Sequence, residues 1–110
     1  MAEPTLTEVF GLGASQTDAQ LIISKADLAA VGLTPAANNR AEQLFVALLL
    51  KVQAYLNPTS QETNPDIQII IEEGTFPSIV FRNNQNYRQT TYTVNLQKLD
   101  NSSAIDPDDY

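Results

Sequence analysis

Cysteine and histidine are both absent from this 110-residue chain, and their absence excludes much chemistry. Without cysteine, neither a disulfide framework nor a thiolate zinc site is available. Without histidine, the chain lacks the commonest general base, the commonest metal ligand and the usual partner that activates a nucleophile. The sequence therefore predicts a protein that is not an enzyme and that carries no metal or other cofactor.

Positive charge is also scarce. Six basic residues stand against thirteen acidic ones, which gives a net charge of −7 at pH 7. Phosphate backbones and anionic membrane surfaces repel such a chain, so we expect neither a nucleic-acid partner nor membrane binding. The longest apolar run, residues 44–50, is too short to span a bilayer. The N-terminal segment contains Glu3 and Glu8 and lacks the basic region of a signal peptide, so we do not expect one. We expect a soluble protein that is made in a cytoplasm.

The residues that are present fit one small domain with terminal extensions. Hydrophobic residues make up 43% of the chain, which is enough for a single core. Residues 1–19 are predicted to form an extended arm, in which Gly11-Leu12-Gly13 indicates a turn rather than a dinucleotide fingerprint. Residues 20–99 form a single α+β domain, and residues 100–110 form an acidic C-terminal tail.

The longest periodic segment, residues 39–56, predicts a helix. Asn39 is a good N-cap with Glu42 three residues later, and Asn57 and Pro58 mark the end. An earlier start at residue 35 is the alternative. One apolar stripe has the spacing of a core-facing helix: Ala41, Leu44, Phe45, Leu48, Val52, Tyr55 and Leu56. A second apolar set lies off this stripe and needs its own cover: Val46, Leu49 and Leu50.

Shorter segments surround this helix. Residues 20–24 predict a strand, and residues 25–31 predict a short helix between Ser24 and Gly32. A polar loop follows the long helix at residues 57–66. The apolar period then changes to two, which predicts strands at residues 67–71, 78–82 and 88–98.

The predicted fold is α+β, a small antiparallel sheet of three to four strands packed by one long helix, plus a short helix. One face of the last strand is more apolar than the other, as in a sheet that is packed on one side. The asparagines at residues 83–86 predict a turn, because asparagine adopts positive φ readily. The residues predicted to be buried together are Leu44, Phe45, Leu48, Val52, Ile69, Ile71, Val80, Tyr92, Val94 and Leu96.

Candidate catalytic or metal groups are few. Glu72 and Glu73 are neighbours on a strand, so they point to opposite faces and cannot act as a paired acid and base. Asp106, Asp108 and Asp109 lack the glycine and the final glutamate of an EF-hand loop, which favours a solvated tail over a cation site.

A candidate interface is better supported. Arginine and tyrosine, the composition of interface hot spots, cluster around the predicted turn, although a solvated hairpin end is an equal alternative. The second face of the long helix also needs cover, either from a partner or from the short helix. The predicted interface residues are Phe10, Val46, Leu50, Arg82, Tyr87 and Arg88.

Three short segments of the sequence carry a family resemblance: AEQL leading into ALLLK, YRQT opening the last strand, and IDPDDY at residues 105–110. With the length, the acidity and the lack of histidine and cysteine, the chain resembles the small structural proteins of tailed bacteriophages and prophages. The resemblance implies a capsid decoration (cement) protein or a small neck, tail or baseplate component, found in the virion and made in the host cytoplasm.

The resemblance also implies how such a protein works. It would have no catalytic residues and no small-molecule substrate, and its partners would be further copies of itself, other virion structural proteins or both. The alternative function is a small acidic regulatory or inhibitor protein that binds a basic partner. Such a charge mimic needs carboxylates spaced along one face, whereas the acidic residues here are scattered along the chain.

Overall fold

The structure is a computed structural model that describes residues 2–100 and 104–110. Within these ranges the elements are α1 (Leu6–Phe10), β1 (Ser15–Gln16), β2 (Leu21–Ile22), a 3₁₀ helix (Lys25–Val31), α2 (Ala41–Gln53), α3 (Pro58–Thr63), β3 (Ile69–Glu73), β4 (Ser78–Arg82), β5 (Gln85–Gln89), β6 (Tyr92–Leu96) and a C-terminal 3₁₀ turn (Pro107–Asp109). The predicted α+β class is confirmed, including the short helix at Lys25–Val31. Part of the predicted tail, residues 101–103, lies outside the described residues.

The N-terminal segment contains a helix, so the prediction of an extended arm is wrong there. Thr5 and Glu8 form a capping box, in which the Thr5 hydroxyl accepts from the Glu8 N–H at 3.2 Å and the Glu8 carboxylate accepts from the Thr5 N–H at 2.9 Å. The box satisfies two N–H groups that a short helix otherwise leaves without partners. Val9 of this helix is buried, so α1 is part of the folded body.

The turn after α1 is fixed by Asp27 of the 3₁₀ helix. The Gly13 N–H donates to Asp27 Oδ2 at 2.7 Å. Gly11 has φ +111°, and a Cβ at this position would lie 2.5 Å from the Asp27 Cβ. Only glycine fits this close approach and this backbone conformation without strain. The turn follows a helix rather than a strand, unlike a dinucleotide fingerprint.

The long helix begins at Ala41, one residue later than the predicted cap implies. Asn39 instead closes the preceding loop, because its Oδ1 accepts from the Ala36 N–H at 3.0 Å and its Nδ2 donates to the Thr34 carbonyl at 3.1 Å. Arg40 is the N-cap residue, and its N–H donates to the Gln43 side chain at 3.2 Å. The predicted capping box of Asn39 with Glu42 is therefore replaced by the pairing of Arg40 with Gln43, one residue later.

The prediction of a loop at residues 57–66 is partly wrong, because this segment contains the short helix α3. Asn57 is its N-cap, since the side-chain Oδ1 accepts from the Ser60 N–H at 2.8 Å, and Pro58 is at the first helical position. Proline suits that position because its missing N–H would have no helical partner there. The Asn57 Nδ2 also donates to the Gln53 carbonyl at 2.9 Å. The prediction that α2 runs to residue 56 is therefore wrong, because α2 ends at Gln53 and Asn57 is an extended N-cap of α3 rather than a left-handed C-terminal residue.

Two buried clusters hold the body together. The first joins α1 and β3 to the segments flanking α3, through Val9, Leu56, Ile67 and Ile70. The second joins α2 to the 3₁₀ helix and the loop after it, through Leu28, Leu33 and Ala47. Leu44 and Leu48 pack on this second cluster, so the 3₁₀ helix covers part of the stripe that was predicted to face a sheet.

The predicted core is only partly correct. The residues that pack on the clusters or are buried are Leu44, Leu48, Val52, Ile69 and Ile71. The prediction is wrong for Phe45, Val94 and Leu96, which are 67%, 50% and 44% exposed. Val80 and Tyr92 are half-buried and lie outside both clusters. The reason is that the 3₁₀ helix covers only one part of the wide apolar stripe of α2, and the strands do not form a sheet over the rest.

The strands form three separate two-stranded antiparallel sheets among the described residues, rather than one sheet of three to four strands. β3 pairs with β6 and β4 with β5, so the predicted single strand at residues 88–98 is divided. The division arises where residues 74–77 lie opposite residues 90–91. Pro77 has no N–H to donate, and the unequal lengths interrupt the ladder. The result is one long interrupted hairpin, in which the Gly74 N–H donates to the Thr91 carbonyl at 2.7 Å.

The molecule is extended for its size. Its radius of gyration is 16.3 Å, whereas about 13 Å is typical of a compact chain of this length. Its accessible surface is 8143 Å², against roughly 6,000 Å² for a folded monomer of this mass. The excess of roughly 2,100 Å² means that the chain leaves uncovered much surface that a compact monomer would bury.

Candidate interaction surfaces

The distal half of the long hairpin exposes large apolar side chains. We call residues 78–89, which are β4, β5 and their turn, the hairpin arm. Its two strands pack extensively on each other, and no described helix packs extensively on either. Ile79 is 62% exposed, Phe81 is 69% exposed, and Phe76 just before the arm is 86% exposed. Apolar side chains on an unpacked hairpin are typical of a surface that binds a partner.

The arm is held in shape by its own turn. Asn83 and Asn84 have φ of +51° and +58°, which confirms the predicted turn at asparagines with positive φ. A two-residue loop with positive φ at both positions matches the natural twist of a hairpin. The arm therefore keeps a defined register, from Arg82 opposite Gln85 to Ser78 opposite Gln89, without support from the body.

The three predicted interface residues of the arm lie on two different faces. Arg82 and Tyr87 share one face, where the guanidinium carbon is 4.0 Å from the ring centroid in a cation–π contact. Arg88 is opposite Ile79 in the ladder, and directly opposite residues share a face. We call this second face, which carries Ile79, Phe81 and Arg88, the apolar face of the arm.

The proximal half of the hairpin, β3 and β6, carries negative charge, whereas the arm carries positive charge. Glu73 is opposite Tyr92, whose hydroxyl donates to the Glu73 carboxylate at 3.0 Å. Burial and this hydrogen bond raise the pKa of Tyr92 above 10.0. Glu72 accepts from the Asn95 side chain at 3.3 Å on the other face, so the two carboxylates do not converge.

We call the β3–β6 face that carries Glu73, Val94 and Leu96 the acidic face. Glu73 is opposite Tyr92, and every second residue of β6 after Tyr92 lies on the same face. Val94 and Leu96 therefore share a face with Glu73. Both apolar residues are close to half exposed, whereas Ile71, which is opposite Val94 on this face, is buried. The acidic face therefore combines a carboxylate with accessible apolar surface.

The other predicted interface residues are not near the arm. Val46 is 51% exposed beside Phe45 on the outer side of α2, and Leu50 is half-buried. Phe10 packs on the first core cluster at the end of α1. The sequence prediction missed Ile79 and Phe81. Their signal was the segment SIVFR, which is apolar on both faces of one strand although only one face was expected to be covered.

A hydrogen bond with two titrating partners joins α1 to the segment after α2. The Tyr55 hydroxyl donates to the Glu8 carboxylate at 3.0 Å. The backbone N–H of Thr5, then the Tyr55 hydroxyl, lower the pKa of Glu8 below 4.5, and the Glu8 hydrogen bond raises the pKa of Tyr55 above 10.0. The fold thus favours ionised Glu8 and protonated Tyr55. Their contribution to stability is lost as pH falls through the lowered pKa or rises through the raised one.

A shallow cleft of about 300 Å³ lies beside the first core cluster. It is lined mostly by apolar groups, with two acidic residues at its rim, and its lining residues are Glu3, Pro4, Val9, Phe10, Leu56, Asp66, Gln68, Ile69 and Tyr110. Both acidic side chains are exposed, so neither is desolvated as a catalytic acid usually is.

The C-terminal carboxylates have structural partners. Asp109 forms an ion pair with Lys98 at 2.9 Å, and Asp106 accepts from the Asp108 N–H at 3.0 Å. In residues 2–100 and 104–110, no group of three or more acidic side chains is arranged to hold a metal ion. The helices of these same ranges are also too short or too polar to cross a membrane.

Comparison with protein-family models, with curated proteins and with solved structures finds no match for this chain.

Proposed function

We propose that this protein is a non-enzymatic structural subunit of a tailed-phage or prophage particle, and that it acts by assembly. Within the particle it would be a capsid decoration protein or a small neck, tail or baseplate component. The sequence resemblance supports a phage particle as the place where the protein acts. The exposed surfaces of the chain support assembly as its mode of action.

The hairpin arm is the observation that carries this proposal. Ile79 and Phe81 are exposed on a hairpin that extends away from the buried clusters. Burying apolar surface is worth about 25 cal/mol per Å², so an assembly contact that covers these side chains is favourable. The outer side of α2, with Phe45 and Val46, offers a second apolar surface for a neighbouring subunit.

The acidic-inhibitor alternative receives less support from the surface. A charge mimic would present carboxylates along its most accessible face. The arm exposes Ile79 and Phe81, and it carries Arg82 and Arg88 but no acidic residue. An apolar, basic arm fits docking into an assembly better than it fits capture of a basic partner.

Particle proteomics tests the proposal directly. Particles would be purified by density gradient from cultures in which the gene is expressed from its natural locus. The expected result is that this chain sediments with capsid and tail proteins at a fixed ratio to them. Its absence from purified particles, with abundant protein at the top of the gradient, would refute the proposal.

A matched pair of variants tests the role of the arm in incorporation. Phe81→Ser removes an exposed side chain of the arm, and Leu12→Ser removes one that is 89% exposed on the turn after α1. We expect loss of incorporation for the first and normal incorporation for the second. Equal incorporation of both variants would exclude the arm as the assembly contact.

A further inference from the structure

We infer that the partner of the hairpin arm is a second copy of this chain, which receives the apolar face of the arm on its acidic face. In this arrangement two copies lie antiparallel, and each distal arm covers the proximal half of the other hairpin. The inference rests on the proposed function, because it names the partner through which the subunit assembles.

Charge complementarity is the first argument. Residues 74–90 contain Arg82 and Arg88 and no acidic residue. Because the whole chain carries −7 and this segment carries +2, the remainder carries −9. Arg88 lies on the apolar face of the arm, and Glu73 lies among apolar side chains on the acidic face. Antiparallel pairing brings Arg88 of each copy to Glu73 of the other copy.

The apolar content of the two faces is the second argument. Ile79 and Phe81 are exposed on the arm, and Val94 and Leu96 are exposed on the acidic face. Both faces are therefore apolar surfaces with one charged residue, and the charges have opposite signs. Among the described residues, the ion pair found is Lys98 with Asp109, so Arg88 and Glu73 form no such pair within their own chain.

The surface area agrees with this pairing. A stable interface buries about 1,200–2,000 Å² in total, or roughly 600–1,000 Å² from each partner. The chain exposes roughly 2,100 Å² more than a compact monomer of its mass. The excess is therefore large enough to supply one such interface in each copy.

Two other contacts between copies fit less well. Contact between the apolar faces of two arms would bring Arg88 of each copy together without a carboxylate, and like charges in a contact are destabilising. The outer side of α2 is apolar, but Arg40 and Lys51 outnumber Glu42 along that helix and its cap. That surface does not complement Arg88. Of these three surfaces, the acidic face is the one that offers both apolar contact and opposite charge.

The two-fold arrangement follows from the hairpin itself. One hairpin carries both the basic and the acidic half, so a pair related by a two-fold axis makes the same contact twice. A closed pair satisfies both halves, whereas a head-to-tail chain leaves one half uncovered at each end. We therefore expect a dimer as the smallest assembled species.

Charge reversal with matched controls tests the inference in sedimentation velocity experiments. Arg88→Glu reverses the charge on the apolar face of the arm, and Arg82→Glu makes the same charge change on the opposite face. Likewise Glu73→Arg alters the acidic face, and Glu72→Arg alters the other face of β3. We expect the dimer Kd to rise at least about tenfold for Arg88→Glu and Glu73→Arg, because attraction becomes repulsion. The two controls change it much less.

Mixing the Arg88→Glu variant with the Glu73→Arg variant gives the decisive test. In the mixture, the reversed arm of one variant meets the reversed acidic face of the other, and the unaltered halves also match. We therefore expect a mixed dimer to form although neither variant dimerises alone. A variant that had misfolded could not be rescued in this way, so recovery separates a lost contact from a lost fold.

The outcomes separate this inference from the proposed function. A chain that stays monomeric at high concentration and low salt, yet is incorporated into particles, refutes the second-copy partner and leaves the structural role in place. A dimer that Arg82→Glu weakens as much as Arg88→Glu, or one that mixing does not restore, also refutes the pairing of these faces. Absence from particles despite dimer formation refutes the proposed function alone.

Discussion

Two isoleucines, one buried and one exposed, give the sharpest test of the structure. Ile67 is 2% exposed in the first core cluster, and Ile79 is 62% exposed on the arm. Ile67→Ala and Ile79→Ala remove the same carbon atoms, so differences between the variants report the two environments. The structure predicts that the first change weakens the fold and that the second weakens association.

The magnitudes follow from burial. Removing three buried carbons costs about 2.4 kcal/mol in transfer free energy, at about 0.8 kcal/mol per buried methylene group. A residual cavity adds to this, so Ile67→Ala should lower the free energy of unfolding by about 2–5 kcal/mol. Because Ile79 is already largely in water, its replacement should cost about 1 kcal/mol or less in the monomer.

Urea unfolding under dilute, high-salt conditions measures the monomer, and sedimentation velocity at low salt measures association. For Ile67→Ala we expect a lower unfolding midpoint with an unchanged slope. For Ile79→Ala we expect a midpoint close to that of the natural chain, with weaker dimer formation. Equal losses of monomer stability for both variants would mean that the arm is packed on the body, and the reasoning would be wrong.

Three further predictions concern the turns and the α1 contact. Gly11→Ala should lower the free energy of unfolding by about 1–3 kcal/mol in urea melts, since its new Cβ meets Asp27 and its φ is positive, while Gly32→Ala has the same backbone strain but no clash. Asn84→Val should loosen the arm, at a cost of about 1–2 kcal/mol for a β-branched residue with positive φ. Backbone amide exchange would then rise in the arm and stay unchanged in α2. Between pH 6 and 3, the stability of the natural chain should fall more steeply than that of Glu8→Gln, because the lowered pKa of Glu8 makes its contribution complete only above about pH 4.5. Parallel acid profiles for the two proteins would contradict the Glu8 prediction.

Local signals in the sequence located most elements correctly. Ser24 and Gly32 bound the 3₁₀ helix as predicted, because a side-chain cap and a left-handed glycine act within one turn. The asparagine turn also formed where it was expected. The capping box at Thr5 and Glu8 was missed, since the composition of the N-terminal segment was given more weight than this four-residue pattern.

The packing partners were harder to predict, because apolar periodicity shows that a face is covered but not by what. The apolar stripe of α2 predicts cover by a sheet, although Leu44 and Leu48 pack on the 3₁₀ helix. The alternation in β6 predicts a buried face, although Val94 and Leu96 are close to half exposed. An interface buried only in an assembly gives the same alternation as a core, so the sequence could not separate the two. The faces that arginine residues occupy depend on the ladder register, which requires the structure.

The stability of the arm depends on what covers its exposed apolar face. An isolated two-stranded hairpin is at best marginally stable in water. The arm has a well-matched turn and the contact between Arg82 and Tyr87, yet Ile79 and Phe81 on its other face contribute little while they are hydrated. Covering that face would add apolar burial to a hairpin whose register is already fixed, so little conformational entropy would be lost on binding. A preformed arm with a hydrated apolar face is therefore suited to gain further stability from the neighbour on which it docks.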